Sequence, residues 1–262
     1  MSGDVPHRFA ATVADGDDLA LDVACLLVAE AVDPSVDVDA ELARLDDLAK
    51  EVDAQDLDAV VRLLFGVEGF TGDEDDYYDP DNSLLPRVLD RRRGIPITLT
   101  VLAMEVARRI GVPATGIGMP GHFLLGDPLR PDVFVDPFSG GVLLDRRSCR
   151  RVFEELHGDR AEWSDAFLDP VGHLDIVRRV LNNLSQTGRA RSERRMLASI
   201  VELQTLLPGA STSERLDLAK AMAAAGRFPE AAELLEAAID DAPPEAVDDL
   251  ARAAQGLRAR LN

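Results

Sequence analysis

Tyr77-Tyr78-Asp79-Pro80, Asn82-Ser83, Arg92-Arg93-Gly94-Ile95-Pro96-Ile97, Pro120-Gly121-His122-Phe123 and Val135-Asp136-Pro137-Phe138 with Gly140-Gly141 follow one another between Asp76 and Gly141, and this stretch decides the fold. Pro96 falls where a helix would begin, a favourable place for proline because its missing N–H has no partner in the first turn. The helix is predicted over 96–110, with Gly111 as its stop and Pro113 beyond. Leu99, Leu102, Ala103, Val106 and Ile110 give it a broad apolar face, as expected of a buried central helix. The pattern then changes. Segments 114–118, 122–125, 133–136 and 142–144 are short, β-prone and separated by Gly and Pro, as antiparallel strands are.

Outward from this stretch the chain reads as helix on both sides. Residues 18–66 carry three helical patterns: Leu19, Val23, Leu26, Leu27 and Glu30; Leu42, Leu45, Leu48 and Val52; and Leu57, Val60, Val61 and Leu64. Residues 66–81 are rich in Gly and Asp and read as a loop carrying two tyrosines. A short helix over 83–92 follows, with Ser83 as its expected N-cap, and another is predicted over 145–156. From about Asp169 onward everything looks helical. There Gly226, Phe228, Ala231, Ala238 and Pro243 fall at the spacing of a tetratricopeptide repeat, a helix pair of about 34 residues. A preceding unit, 181–208, shares the length but few of the signature residues. The expected class is therefore α+β: N-terminal helices, a central helix and a small antiparallel sheet over 1–168, then an all-α tetratricopeptide-like segment over 169–262. So few repeat units rarely stand alone, which predicts that this segment packs on the first.

Composition narrows the function classes. The 262 residues are 46% hydrophobic and carry a net charge of −20, from 48 acidic against 28 basic side chains. Such a field repels phosphate backbones and anionic lipid, so neither nucleic acid nor membrane is an expected partner. The arginine clusters 91–93 and 146–151 are too small to reverse it. No apolar run approaches the roughly 20 residues that span a bilayer, and the start has no basic-then-apolar leader pattern, so a cytoplasmic location is the expectation. Four scattered histidines and two cysteines, Cys25 and Cys149, give neither metal-ligand spacing nor a disulfide framework, and no cofactor is expected.

Taken together, the ordered motifs resemble the SirB family of bacterial proteins, a transglutaminase-like domain followed by tetratricopeptide-type helices. Several separate motifs in one order make the resemblance specific, where any one alone would not be. It implies a papain-like core in which a nucleophile opens the central helix, a histidine begins a strand and an aspartate lies on the next strand. Counted back from Gly111-Val112-Pro113, which resembles the family's loop after that helix, the nucleophile's slot is Pro96. His122 takes the position of the base and Asp136 that of the carboxylate that orients it. Proline offers no side-chain nucleophile, so the resemblance carries fold further than activity.

The residues also allow plainer readings. His122 serves equally as a structural histidine in a Gly-Pro turn, and Asp136 before Pro137 as a turn initiator. Thr98 and Thr100 are the hydroxyls nearest Pro96; helical geometry puts Thr98 on the face of Glu105 and Arg109, read as the wetter one, and Thr100 one turn deeper, bonding the Pro96 carbonyl. Cys149 lies among arginines that would lower its pKa, but a structural cysteine is the preferred reading; Cys25 is core. Tyr77, Tyr78 and Asn82 either line a cleft near His122 or pin their loop to the core. Two functions follow. The preferred one is a non-catalytic scaffold that binds a protein or peptide; the other is a hydrolase or acyltransferase in which His122 and Asp136 activate Thr98, Thr100 or water.

Overall fold

The computed structural model describes residues 5–158, 160–209, 212–224, 226–239, 242 and 244–261. The first described helix is Val5–Val13 (α1), which sequence reading overlooked; its Phe9 and Val13 are buried. Leu21–Val32 (α2) is buried on nearly every face, including Asp22 and Glu30. Val38–Lys50 (α3) and Leu57–Val61 (α4) begin at aspartate caps, Asp37 accepting the Ala40 N–H and Asp56 the Ala59 N–H. The third expected helix is only half α-helical, because α4 widens into a π-helical turn over Arg62–Val67.

The Gly/Asp-rich loop hides a strand. Thr71–Gly72 (β1) pairs in parallel with Arg93–Gly94 (β2), and two residues are too few to show any period. A Cβ on Gly72 would stand 2.4 Å from the Phe138 ring, so glycine there lets the loop close on the turn after Asp136. Between these strands lie a 3-10 turn, Pro80–Ser83, and the helix Leu85–Arg91 (α5). Ser83 is not its N-cap. That place is held by Leu84 without a side-chain bond, and Pro86 in the first turn removes one of the N–H groups a cap would serve.

Pro96–Arg109 (α6) begins at the expected proline, and every residue from Pro96 to Ala107 is buried. The strands Thr115–Ile117 (β3), Leu124–Gly126 (β4), Val133–Asp136 (β5) and Val142–Asp145 (β6) fall on the expected segments, trimmed or shifted by one or two residues. Among the described residues they form an antiparallel sheet with Pro170–Val171 (β7), in the order β6-β5-β4-β3-β7. Helix α6 packs between this sheet and helices α2 to α5. Arg146–His157 (α7) is capped by Asp145 and covers the far side of the sheet through Cys149 and Phe153.

Then come His173–Arg191 (α8), Arg194–Thr205 (α9), Thr212–Ala224 (α10), Phe228–Ile239 (α11) and Pro244–Arg258 (α12). The sequence-based division falls between 168 and 169. On its far side Ile176, Val180, Leu184, Ile200 and Leu203 lie in the same apolar cluster as Leu26, Leu99 and Leu102. Helices α10 to α12 close a smaller cluster around Met222, Ala231, Leu235 and Leu250, with Gly226 at φ +82° between α10 and α11. Pro243 of the repeat pattern lies outside the described residues. No helix among the described residues is long and apolar enough to cross a membrane.

One ionic knot fastens the far end of α6. Asp22 of α2, 3% exposed in its side chain, accepts from Arg109 at 2.7 Å and Arg108 at 2.9 Å. Both arginines also reach Glu105, 2% exposed, and Arg109 continues to Asp46 on α3. Burial works to raise the Asp22 carboxyl, but the Arg109 bond and both guanidinium charges bring it below the ordinary range. Glu105 moves the other way, pushed up by burial and then by the charge of Asp22 beside it.

Candidate functional site

At its near end α6 opens into a cleft of about 310 Å³. Ile95, Pro96 and Ile97 form one wall, Met119, His122 and Phe123 of the β3–β4 turn another, Tyr77 a third, and Arg179, Asn182, Asn183 and Gln186 of α8 the fourth. Pro96 and His122, 26 positions apart in sequence, therefore face one space. His122 does not open the strand, as its motif suggested. It sits two residues ahead of β4, in a turn that Gly121 makes at φ +75°, and its N–H donates to the Met119 carbonyl at 3.0 Å.

Asp136 ends β5 as expected, and its Oδ1 lies 3.0 Å from His122 Nε2. The two groups are in close contact, although the angle is not that of a good hydrogen bond. The same carboxylate accepts the backbone N–H groups of Phe138 and Ser139 at 3.0 and 3.2 Å and the Ser139 hydroxyl at 2.8 Å. Asp136 thus both folds its own turn and touches the histidine. Burial tends to raise its pKa; the His122 contact and the Ser139 bonds outweigh it and hold the carboxyl below its usual range.

The hydroxyls stand apart from this pair. Thr100 is fully buried and donates to the Pro96 carbonyl at 2.9 Å, the i−4 bond expected of it. Thr98 lies on a buried face: it is 3% exposed, and Glu105, which shares that face, is 1% exposed. The wetter-face reading fails because Arg108 and Arg109 pair with Glu105, and Asp22 of α2 pairs in turn with both arginines, so this face goes inside. The Thr98 hydroxyl is buried with no hydrogen-bond partner among the described residues. Thr98→Val is therefore expected to leave stability unchanged or raise it by up to about 1 kcal/mol, since it removes a desolvated, unused donor. Urea unfolding checks this; a loss above about 1 kcal/mol would mean that the hydroxyl has a working bond.

The thiols are no better placed. Cys149 packs under the sheet beside Phe153, and burial, with Asp145 and Asp136 nearby, pushes it up to about 12. The activating arginines read from sequence lose to desolvation. Cys25 is buried in α2 and is pushed up too, by burial and then by Glu105 and Asp22. Among the described residues no three His, Cys, Asp or Glu side chains converge to hold a metal ion.

Of the loop candidates, Tyr77 lines the cleft and Tyr78 does not; Tyr78 is 63% exposed. The Tyr77 ring meets Phe138 edge-on at 5.8 Å, and Phe138 meets His122 at 6.3 Å. Burial and then Tyr78 raise the Tyr77 phenol. Asn82 is fully buried and works as a pin: its Nδ2 donates to the Asp76 carbonyl at 2.8 Å, and its main-chain carbonyl accepts the Ile95 N–H at 3.2 Å. An Arg191–Asp76 ion pair ties the end of α8 to the same loop.

The α8 wall was missed by sequence reading. Its signal was present: Arg179, Asn182, Asn183 and Gln186 recur at helical spacing opposite Ile176, Val177, Val180 and Leu184. Three of these four are amides, in a chain where 29% of residues are charged.

A central helix whose N-terminus faces a histidine in a strand-to-strand turn and an aspartate at the end of the next strand is the arrangement of a transglutaminase-like core. The profile of the transglutaminase-like superfamily matches residues 30–182, more than half of the chain, and the chain belongs to that superfamily. A UPF0162 protein of Xylella fastidiosa is 46% identical over 132 residues, covering 48% of this chain and 46% of that protein. A UPF0162 protein of Pseudomonas aeruginosa is 36% identical over 140 residues, 53% of this chain and 50% of that one. F-box only protein 21 of Homo sapiens is 32% identical over 148 residues, 53% of this chain but 23% of the human protein. The chain thus spans about half the length of the bacterial relatives it matches. No solved structure matches the chain.

Proposed function

We propose that this protein is a non-catalytic scaffold that binds a protein or peptide segment in the cleft between α6, the β3–β4 turn and α8. One observation carries the reading: the residue at the head of α6, facing the same cleft as His122, is a proline. Acyl transfer by this kind of core needs a nucleophile there, and Pro96 has none. Its neighbours do not replace it, since Thr100 is committed to the Pro96 carbonyl and Thr98 is buried. An apolar side formed by Ile95, Ile97, Met119 and Phe123 facing an amide-rich side suits a polypeptide, with side chains on one wall and main chain on the other.

We further read the chain as a SirB-type member of the superfamily, on its ordered motifs, and α10 to α12 as tetratricopeptide-type helices. Buried Ala231 and Ala238 and the Gly226 turn support the second point, as small residues where helices pack closely. These helices would offer a second binding surface.

The test has two arms. Displayed peptides selected on the wild-type protein should lose at least about tenfold in capture by Asn183→Trp, which fills the cleft from a half-exposed helical position. Transfer of a fluorescent primary amine to glutamine-containing protein should be no faster with wild type than with His122→Ala. Capture indifferent to Asn183→Trp, or turnover that vanishes with His122, would overturn the scaffold reading, the latter in favour of a hydrolase or acyltransferase.

A further inference from the structure

The cleft does not end at α8. A second cavity of about 240 Å³ lies between α8, α9 and α10, and Asn182 and Gln186 line both. These two side chains stand one helical turn apart and form the sill between the spaces. On the far side are Arg178, Arg189, Gln204 and Asp217. Gln204 is 8% exposed; its Nε2 donates to Asn182 Oδ1 at 2.8 Å, while its Oε1 is buried with no partner among the described residues. A buried carbonyl oxygen without a donor is unfavourable, and Gln204 is part of the lining of this cavity.

The two ends differ in character. Around His122 an apolar wall of Ile95, Ile97, Met119 and Phe123 stands opposite the amides of α8 and Arg179, whose guanidinium donates to the Gly118 carbonyl; in the second cavity the charged lining is two arginines against one aspartate. Asp217 is already engaged by Lys220 at 2.9 Å, and Arg178 reaches the Pro208 carbonyl and Asp175. Arg189 is exposed and has Asp217 as its charged neighbour. The chain as a whole is strongly acidic, but charges farther off than about 8–10 Å are screened at physiological salt, so the local arginines decide what this end prefers.

Resting on the binding role proposed above, we infer that the two cavities form one groove for an extended segment of a partner protein, with an apolar side chain beside His122 and an acidic one beside Arg189. Gln204 Oε1 takes a main-chain N–H of that segment, and Asn182 and Gln186 pair with its amides as it crosses the sill. From Arg179 to Arg189 α8 runs for about 15 Å, which matches about five residues of extended chain.

Capped, fluorescent five-residue peptides test this, with leucine at one end and Glu, Gln or Lys at the other, in both chain directions. In anisotropy titrations of the full chain the Glu peptide of one direction should bind about tenfold tighter than its Gln or Lys counterparts, the worth of one charge-assisted bond. Arg189→Glu, at an exposed position, should invert the order of Glu and Lys. Gln204→Leu should weaken all of them severalfold and keep the order. Equal affinity for Glu and Lys, or a Glu preference that survives Arg189→Glu, sinks this inference; if Asn183→Trp still abolishes binding in that case, the cleft reading stands. No binding of any peptide by wild type sinks both.

Discussion

Replacing Arg109 with methionine is expected to lower the unfolding free energy by about 3–5 kcal/mol at neutral pH, the usual cost of breaking a buried ion pair from one side. Asp22 and Glu105, 3% and 2% exposed, would be left facing one another with Arg108, itself 56% exposed, as the remaining cation. The pH dependence sharpens the test. In the wild type the folded Asp22 pKa is depressed, so its contribution is present above the ordinary aspartate range and lost as the pH falls through the folded value. In the variant two desolvated carboxylates repel, so the folded state takes up a proton more readily than the unfolded chain. Mildly acidic solution should then restore part of the loss, narrowing the gap from wild type. Urea unfolding between neutral and mildly acidic pH measures both effects. A loss below about 1 kcal/mol, or a gap that widens on acidification, would mean that the knot is solvated. The consequence reaches the cleft, because the knot holds α6 against α2 and α3, and α6 carries Pro96.

Pro96→Cys is expected to create a reactive thiol where the protein has none. A cysteine at the first position of α6 would sit at a helix N-terminus, where the positive end of the dipole favours thiolate, in the cleft that His122 lines. The native Cys149, pushed up to about 12, and the buried Cys25 supply almost no thiolate at neutral pH. Iodoacetamide should therefore modify the introduced thiol faster than either native cysteine by about two orders of magnitude or more. The modification should slow several-fold when His122 is also replaced by alanine. The proline's conformational restriction is lost, at a cost of about 0.4–1 kcal/mol, so the variant should remain folded. Mass spectrometry of a timed alkylation settles the matter. Modification no faster than that of the native cysteines, or a rate indifferent to His122, would remove Pro96 from the nucleophile's slot and weaken the scaffold argument with it.

Sequence and structure divide the account along physical lines. What the sequence determined by itself is local. Pro96 marked the head of α6, Gly111 its end, and the alternating short segments marked the sheet, because proline, glycine and side-chain period act within a few residues. The bond from Thr100 to the Pro96 carbonyl was legible for the same reason, being four residues long, and Asp136 at the end of β5 was set by its own turn. Where two-residue strands were involved, as at Thr71–Gly72 and Arg93–Gly94, no period existed to read. Tertiary structure alone decided the rest. Thr98 was placed by the face it shares with Glu105, and Glu105 goes inside because the arginines that pair with it are held by Asp22, 83 positions before it. Cys149 lost its activating arginines to a sheet that desolvates it. Above all, the wall of amides on α8 meets His122 only because α8 packs its apolar face into the core of α2 and α6, turning Arg179, Asn182 and Gln186 toward the cleft. Helical periodicity says which residues share a face; what that face meets depends on partners distant in sequence.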